Sequence, residues 1–258
     1  MSIPALALRQ VRYENKSFWR NPAAAYFTFA FPIVFLVIFN LLFGNARLTL
    51  PGGHTVKQST FYVAAIVAFS VITASFTNLA MNVVFAREQG VLKRKRGTPM
   101  PPLAYLSGKI LHSGVIALLL VAIITVFGRA FYGVSLAGNR IPAFLASLAI
   151  GALSFSAMGL AITTVVPNAD AAPAIVNAVI LPLLFISDIF IPLTTAPKWL
   201  STVGNIFPVR HFAEAMHQVF NPFAPGTGFQ GKDLLVMGIW GLGSLLVAAK
   251  FFRWEPTR

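Results

Sequence analysis

Six apolar runs, at 24–43, 61–85, 110–132, 142–166, 174–192 and 234–252, take up more than half of this 258-residue chain. A helix rises 1.5 Å per residue, so about twenty apolar residues cross the roughly 30 Å hydrocarbon layer of a bilayer. Six such runs with short connections predict an all-α integral membrane protein with six transmembrane helices. In lipid every backbone amide must find its partner inside the protein, and a helix supplies one within its own segment. Hydrophobic residues make up 57% of the chain and charged ones only 10%, with a mean hydropathy of +0.75. Soluble domains carry about a quarter charged residues, so that class is excluded. Residues 1–258 read as a single transmembrane domain.

The polar remainder sets the orientation. Net charge is +13, from twenty Lys and Arg against seven Asp and Glu. In a soluble protein this balance would suggest nucleic acid. Here the cations flank the spans, where membrane lipids with anionic headgroups explain them and no nucleic acid is required. Residues 1–23 form an amphipathic interface helix over Leu6 to Arg20. Arg9, Arg12, Lys16 and Arg20 recur at spacings of three and four and make one basic stripe, with Leu8, Val11, Phe18 and Trp19 on an apolar side. The start lacks the short apolar core of a secretory signal, so the first run is retained as a span. With the N-terminus inside, thirteen Lys and Arg fall on that side and seven on the other. Both termini and the 86–109 connector are therefore expected in the cytoplasm.

That connector, between the second and third spans, holds Arg87, Lys93, Arg94, Lys95, Arg96 and Lys109 with Glu88 as its one acid. From Ala86 to Arg96 the only helix breaker is Gly90, so a short cytoplasmic helix is expected. Thr98-Pro99 and Pro101-Pro102 stop it, because proline has no amide hydrogen and restricts the residue before it. A short helix held beneath the membrane is a shape suited to docking a partner.

Polar residues inside a span face protein or a water-filled path. The second span is the most polar: Ser70, Thr73 and Thr77 share one helical face, and Asn78 and Asn82 lie on a neighbouring one. Helix packing and a substrate path both fit that pattern. The fifth run offers Asn177, a break at Pro182, and Asp188 near its outer end. Residues 193–233 are too broken to span and predict two short helices, Pro197 to Ile206 and Pro208 to Phe220, as an extracellular re-entrant hairpin or lid. In the fourth run Ser147, Gly151 and Gly159 mark a face where helices can approach closely.

Much chemistry is missing from the sequence. No GxxxxGK[ST] phosphate loop occurs, so the chain does not bind and split a nucleotide by that route. There is no cysteine, which excludes disulfides and thiolate metal sites. His54, His112, His211 and His217 show no metal-ligand spacing, and no serine, histidine and acid arrangement suggests hydrolysis. The chain is expected to carry no metal and no catalytic residue of its own.

The connector resembles that of the ABC transporter type-2 permease family, which shows an acid-rich ERE-x-G start, a Thr-Pro, and a Gly-Lys at the foot of the third span. The matching positions are Arg87, Glu88, Gly90, Thr98, Pro99, Gly108 and Lys109. The likeness runs over nearly the whole chain, including LPLLFISDIFIPLTTAPKWL and the NIFPVRHFAEA after it. Ala86 stands where an acid is common, Lys93 to Arg96 is unusually basic, and Asp188 stands where glycine is frequent. The resemblance implies a permease that forms a homodimer in a bacterial plasma membrane. It implies two copies of a separate ABC ATPase subunit that bind ATP and Mg, so this chain itself holds no cofactor. Arg87, Glu88, Gly90, Thr98 and Pro99 would form its coupling helix. The second and fifth spans would meet the dimer partner, with Ser70, Thr73, Thr77, Asn78, Asn177 and Asp188 along a substrate path. Small drug-export permeases are the nearest sub-group. Exporters of glycans or lipid-linked polymers share the fold and are the alternative within it. A secondary transporter or channel would need no ATPase, but neither an inverted repeat nor a central charged pair is present.

Overall fold

The second apolar run folds as one 31-residue helical column, Gln58–Glu88, against which most of the other helices pack. The protein is described from a computed structural model over residues 3–49, 54–97, 101–190, 197–252 and 254–255. In chain order the helices are α1 (Ile3–Trp19), α2 (Pro22–Phe43), α3 (Gln58–Ile72), α4 (Asn78–Glu88), α5 (Val91–Arg96), α6 (Pro102–Tyr132), α7 (Ile141–Ile162), α8 (Ala172–Phe185), α9 (Lys198–Gly204), α10 (Pro208–Phe220) and α11 (Gly231–Phe251). A π-helical segment, Thr73–Thr77, joins α3 to α4. Every residue from Phe61 to Ile72 is buried, because α2, α6, α7 and α10 all pack against this column. Its apolar side chains point in all directions, as a helix surrounded by other helices requires.

Five helices among the described residues are long and apolar enough to cross a bilayer: Pro22–Phe43, Gln58–Glu88, Leu103–Tyr132, Gly138–Ile162 and Gly231–Phe251. The run at 174–192 departs from expectation. Its helix, Ala172–Phe185, has 14 residues, about 21 Å at 1.5 Å per residue. Pro182 cannot donate to the helix ladder. The chain unwinds after Phe185, and Asp188 adopts a left-handed φ of 59°. Ile189 and Phe190 then turn into the core, Phe190 meeting Phe35, Phe39 and Phe69. Hydropathy counts these residues as a span because a buried loop and a lipid-facing helix are equally apolar.

Two further differences concern boundaries. α6 begins at Pro102, so the last eight residues assigned to the connector are the first turns of the third span. Proline at the first helical position favours that start. The 44–59 loop contains two antiparallel strands, β1 (Arg47–Thr49) and β2 (Thr55–Lys57), paired Leu48 to Val56. Thr49, Thr55 and Val56 are β-branched and suit a strand. The Pro51–Gly53 turn signal, Pro192, Arg253 and Arg258 lie outside the described residues.

Small residues set the closest contacts. A Cβ on Gly151 would lie 2.5 Å from the ring of Phe212, and one on Gly241 would lie 2.6 Å from Ser154 Oγ. α10 therefore lies inside the bundle, with Val209, Phe212, Ala213, Met216 and Phe220 buried as its apolar stripe. Its polar side carries the Arg210–Glu214 pair at 2.8 Å. The buried guanidinium of Arg140 donates to the carbonyls of Gln218, Val219, Pro222 and Ala224 at 3.3, 3.5, 3.5 and 2.7 Å. It serves the C-terminal end of α10, where carbonyls lack helical partners and a cation is favoured.

Candidate functional site

At the opposite end of the bundle α4 stops at Glu88 and the chain reverses into α5. Gly90 makes the reversal possible at φ +67°, a conformation that costs a side-chain-bearing residue strain. Leu92 is fully buried and packs with Leu79, Val83, Tyr105, Leu160 and Ala248. It fastens the short helix to the bundle. Lys95 Nζ donates to Gln10 Oε1 at 3.5 Å and lies 6.0 Å from the Tyr13 ring centre, so α5 also touches α1. Glu88, Gln89, Lys93 and Arg94 face outward and are exposed. Thr98 and Pro99 lie outside the described residues.

Arg87 takes a different place from its neighbour Glu88. It is 2% exposed, and its guanidinium donates to the carbonyl of Thr163 at 2.9 Å and to that of Val166. The first carbonyl belongs to the residue that caps α7, and the second to the loop just beyond it. The connector is thus tied to α7 through Arg87, to α1 through Lys95, and to α6 by covalent continuity.

The interface helix has two faces. Arg9, Arg12, Lys16, Trp19 and Arg20 are exposed. The hydrogen bond and charge of Arg9 lower the Tyr13 phenol from its ordinary pKa. On the other face Ala7 and Gln10 are buried against α6. A Cβ on Gly108 would stand 2.6 Å from Gln10 Cβ. Lys109 Nζ pairs with Glu14 Oε2 at 3.1 Å, and Gln10 Nε2 donates to Glu14 Oε1 at 2.7 Å. The Gly-Lys pair at the foot of the third span is thereby a docking site for α1. Sequence reasoning missed Gln10 and Glu14, although their spacing of four placed them together opposite the basic stripe.

The polar residues of the second span divide. Ser70 is fully buried and donates to Ile66 O at 2.6 Å, and Thr73 donates to Phe69 O at 2.9 Å. The π segment then shifts the register, as such bulges do. Asn78, half-buried, and Asn82, exposed, face a polar cleft of about 190 Å³ between α1, α2, α4 and α6. Asn177 is half-buried on α8, and Asp188 accepts a hydrogen bond at its backbone carbonyl from His217 Nε2 at 3.0 Å. The cleft is not shared by Ser70, Thr73, Thr77, Asn177 or Asp188. A cysteine scan checks this division, helped by the lack of native cysteine. In the resting protein, Asn82→Cys reacts with a water-soluble maleimide, Asn78→Cys reacts more slowly, and Ser70→Cys stays unlabelled. Labelling of Ser70→Cys at the rate of Asn82→Cys would overturn the division.

His211, Glu214 and Asp233 bring ligand-type atoms within 4.8 Å of one another at the far end. Those atoms are already engaged. His211 Nδ1 lies 2.7 Å from Asp233 Oδ1, His211 Nε2 donates to Asn205 O at 2.9 Å, and Glu214 pairs with Arg210. The group works as a latch joining α10, α11 and the turn after α9.

Comparison with known proteins gives these features a context. Over 83% of this chain and 70% of its own length, the daunorubicin resistance ABC transporter permease protein DrrB1 of Streptomyces coeruleorubidus is 26% identical. A protein named as a transport permease, ycf38 of Porphyra purpurea, is 26% identical over 86% of this chain and 75% of its own. Another so named, YvfS of Bacillus subtilis, is 25% identical over 68% and 70%. The family model described as ABC-2 type transporter matches residues 8–221, a stretch that holds most of α1, the buried column, the connector and the helices up to α10. With that match over most of its length, the chain belongs to the ABC-2 type transporter family, as a multi-pass membrane permease.

Proposed function

We propose that the chain is the permease subunit of an ATP-driven exporter, working as a homodimer with two copies of a separate ATPase that holds ATP and Mg. The carrying observation is the connector: an exposed outer face of Glu88, Gln89, Lys93 and Arg94, and an inner face tied to α1, α6 and α7. A partner seated on the outer face can move three helices at once. The excess of Lys and Arg at the connector end supports a cytoplasmic position for that face and for both termini, in the plasma membrane of a bacterium. On this reading α8 and the buried segment after it complete a sixth crossing, and α9 and α10 form an outward-side re-entrant pair. The cargo is an amphipathic drug, antibiotic or lipid-like molecule. That class is supported by the name of DrrB1 and by a cleft lined with hydroxyls and amides.

The test uses the permease reconstituted with its partner ABC ATPase. Glu88 is exposed and makes no hydrogen bond or ion pair among the described residues, so Glu88→Lys leaves insertion and melting temperature unchanged. Substrate-stimulated ATP hydrolysis and transport fall about fivefold or more, the size of an ordinary coupling energy between two sites. Normal coupling in this variant would refute the docking role.

A further inference from the structure

We propose that the polar cleft between α1, α2, α4 and α6 binds the neutral, hydroxyl- or carbonyl-bearing head of a membrane amphiphile, whose tail stays in the lipid. The proposal rests on the exporter reading only for the source of that amphiphile, not for its binding.

Size comes first. The cleft encloses about 190 Å³, below the roughly 300–1,000 Å³ of pockets that swallow a drug-sized molecule. It fits a head and not a whole ligand. Its rim is open, since Ser17, Asn21 and Asn82 are exposed, while Ala74, Leu79 and Ile116 form a buried apolar floor. Polar rim and apolar floor suit a molecule with both characters.

Charge comes next. The cleft holds one anion and one cation, and they satisfy each other: Glu14 accepts from Lys109 at one oxygen and from Gln10 at the other. A charged ligand would find no unpaired opposite charge and would lose its hydration. Neutral hydrogen-bonding groups do find partners. The side-chain amide of Asn78 and the hydroxyl of Ser17 make no hydrogen bond among the described residues. His112 Nε2 is buried and likewise without a partner. His112 Nε2, the buried one of the three, costs free energy until something bonds to it, while Asn78 and the exposed Ser17 are open to a ligand from the rim.

The backbone supplies an independent indication. Asn78 comes directly after the π segment Thr73–Thr77. A bulge of one residue rotates the rest of the helix by about 100° relative to an unbroken one. The direction in which the amides of Asn78 and Asn82 point is therefore set by the bulge, and both line the cleft. Such bulges concentrate at functional sites.

The experiment measures maleimide labelling of Asn82→Cys at the rim, with the permease alone in phosphatidylcholine and phosphatidylglycerol nanodiscs. Three water-soluble probes share a six-carbon tail: hexyl β-D-glucoside, hexyltrimethylammonium and hexyl phosphate. The glucoside slows labelling about threefold at a concentration of about twice its Kd, and neither charged probe does. Asn78→Leu in the same background abolishes the protection, and labelling of a distant Asp170→Cys is unaffected. Absence of protection by the glucoside, or equal protection by all three probes, would overturn the proposal. Adding the ATPase separates two sources of the same chemistry. Stimulated ATP hydrolysis by the glucoside marks the site as a point of cargo binding. Protection without stimulation, together with a co-purifying glycolipid, marks a resident lipid. The labelling step needs no ATPase, so its failure and a failure of the Glu88→Lys experiment are distinguishable.

Discussion

Gly159→Val prevents the bundle from closing. α7 crosses the π segment at this glycine, and a Cβ there would lie 2.8 Å from the carbonyl oxygen of Phe76 and 3.1 Å from that of Ser75. Both are backbone atoms in the buried column, so no flexible side chain can move aside. A β-branched residue adds two methyl groups to a site that cannot accept one carbon. Overpacking of a dense core costs about 1–3 kcal/mol. With backbone as the obstacle, the expectation is about 3 kcal/mol or loss of assembly altogether. Gly243 is the control, since a Cβ there meets nothing within 4 Å and the position is exposed on α11. Melting of the purified permease, followed by tryptophan fluorescence, should fall steeply for Gly159→Val and stay near the parent for Gly243→Val. Equal stability of the two variants would mean that α7 and the π segment are not packed as described.

How far such contacts can be read from sequence depends on their range. Ser147, Gly151 and Gly159 were legible as a close-packing face because small residues at helical spacing report a helix surface. Their partners were not, because periodicity says which face is buried and nothing about what covers it. The same limit explains α10. Its stripe and its Arg210–Glu214 pair are local, four residues apart, and were legible. That its apolar face enters the bundle against Gly151 depends on a contact with α7 that no local pattern reveals. The run at 174–192 outlasts its helix for a related reason, since Ile189 and Phe190 are apolar and fill the core after Phe185. The π segment is invisible to periodicity because it changes the period itself.

The candidate site divides along the same line. Glu88, Gly90 and the short α5 arise from local signals: a glycine that breaks the helix and a proline stop. The partners of the site lie far along the chain. Glu14 and Lys109 are 95 residues apart, and Arg87 reaches carbonyls 76 and 79 residues away. A resemblance marks Arg87 as belonging to the connector, but only the fold distinguishes a surface cation from a buried one.

That distinction leads to the second large effect. Arg87→Gln lowers both stability and coupling, whereas Glu88→Lys lowers coupling alone. The Arg87 fork holds the carbonyl of Thr163, at the C-terminal cap of α7 where the helix dipole is negative, and that of Val166 in the loop beyond. A hydrogen bond to a charged group contributes about 1.5–3 kcal/mol, so losing both costs about 3 kcal/mol or more. Arg87→Lys keeps the charge but not the planar fork, and a single ammonium cannot reproduce the two parallel donations. It should fall between the parent and Arg87→Gln in melting temperature. Coupling is the more telling readout. If the connector drives α7 through this contact, Arg87→Lys loses substrate-stimulated ATP hydrolysis out of proportion to its modest loss of stability. If hydrolysis in Arg87→Lys falls only as far as the folded fraction does, Arg87 is a structural cap, and the drive passes instead through Leu92 and α6.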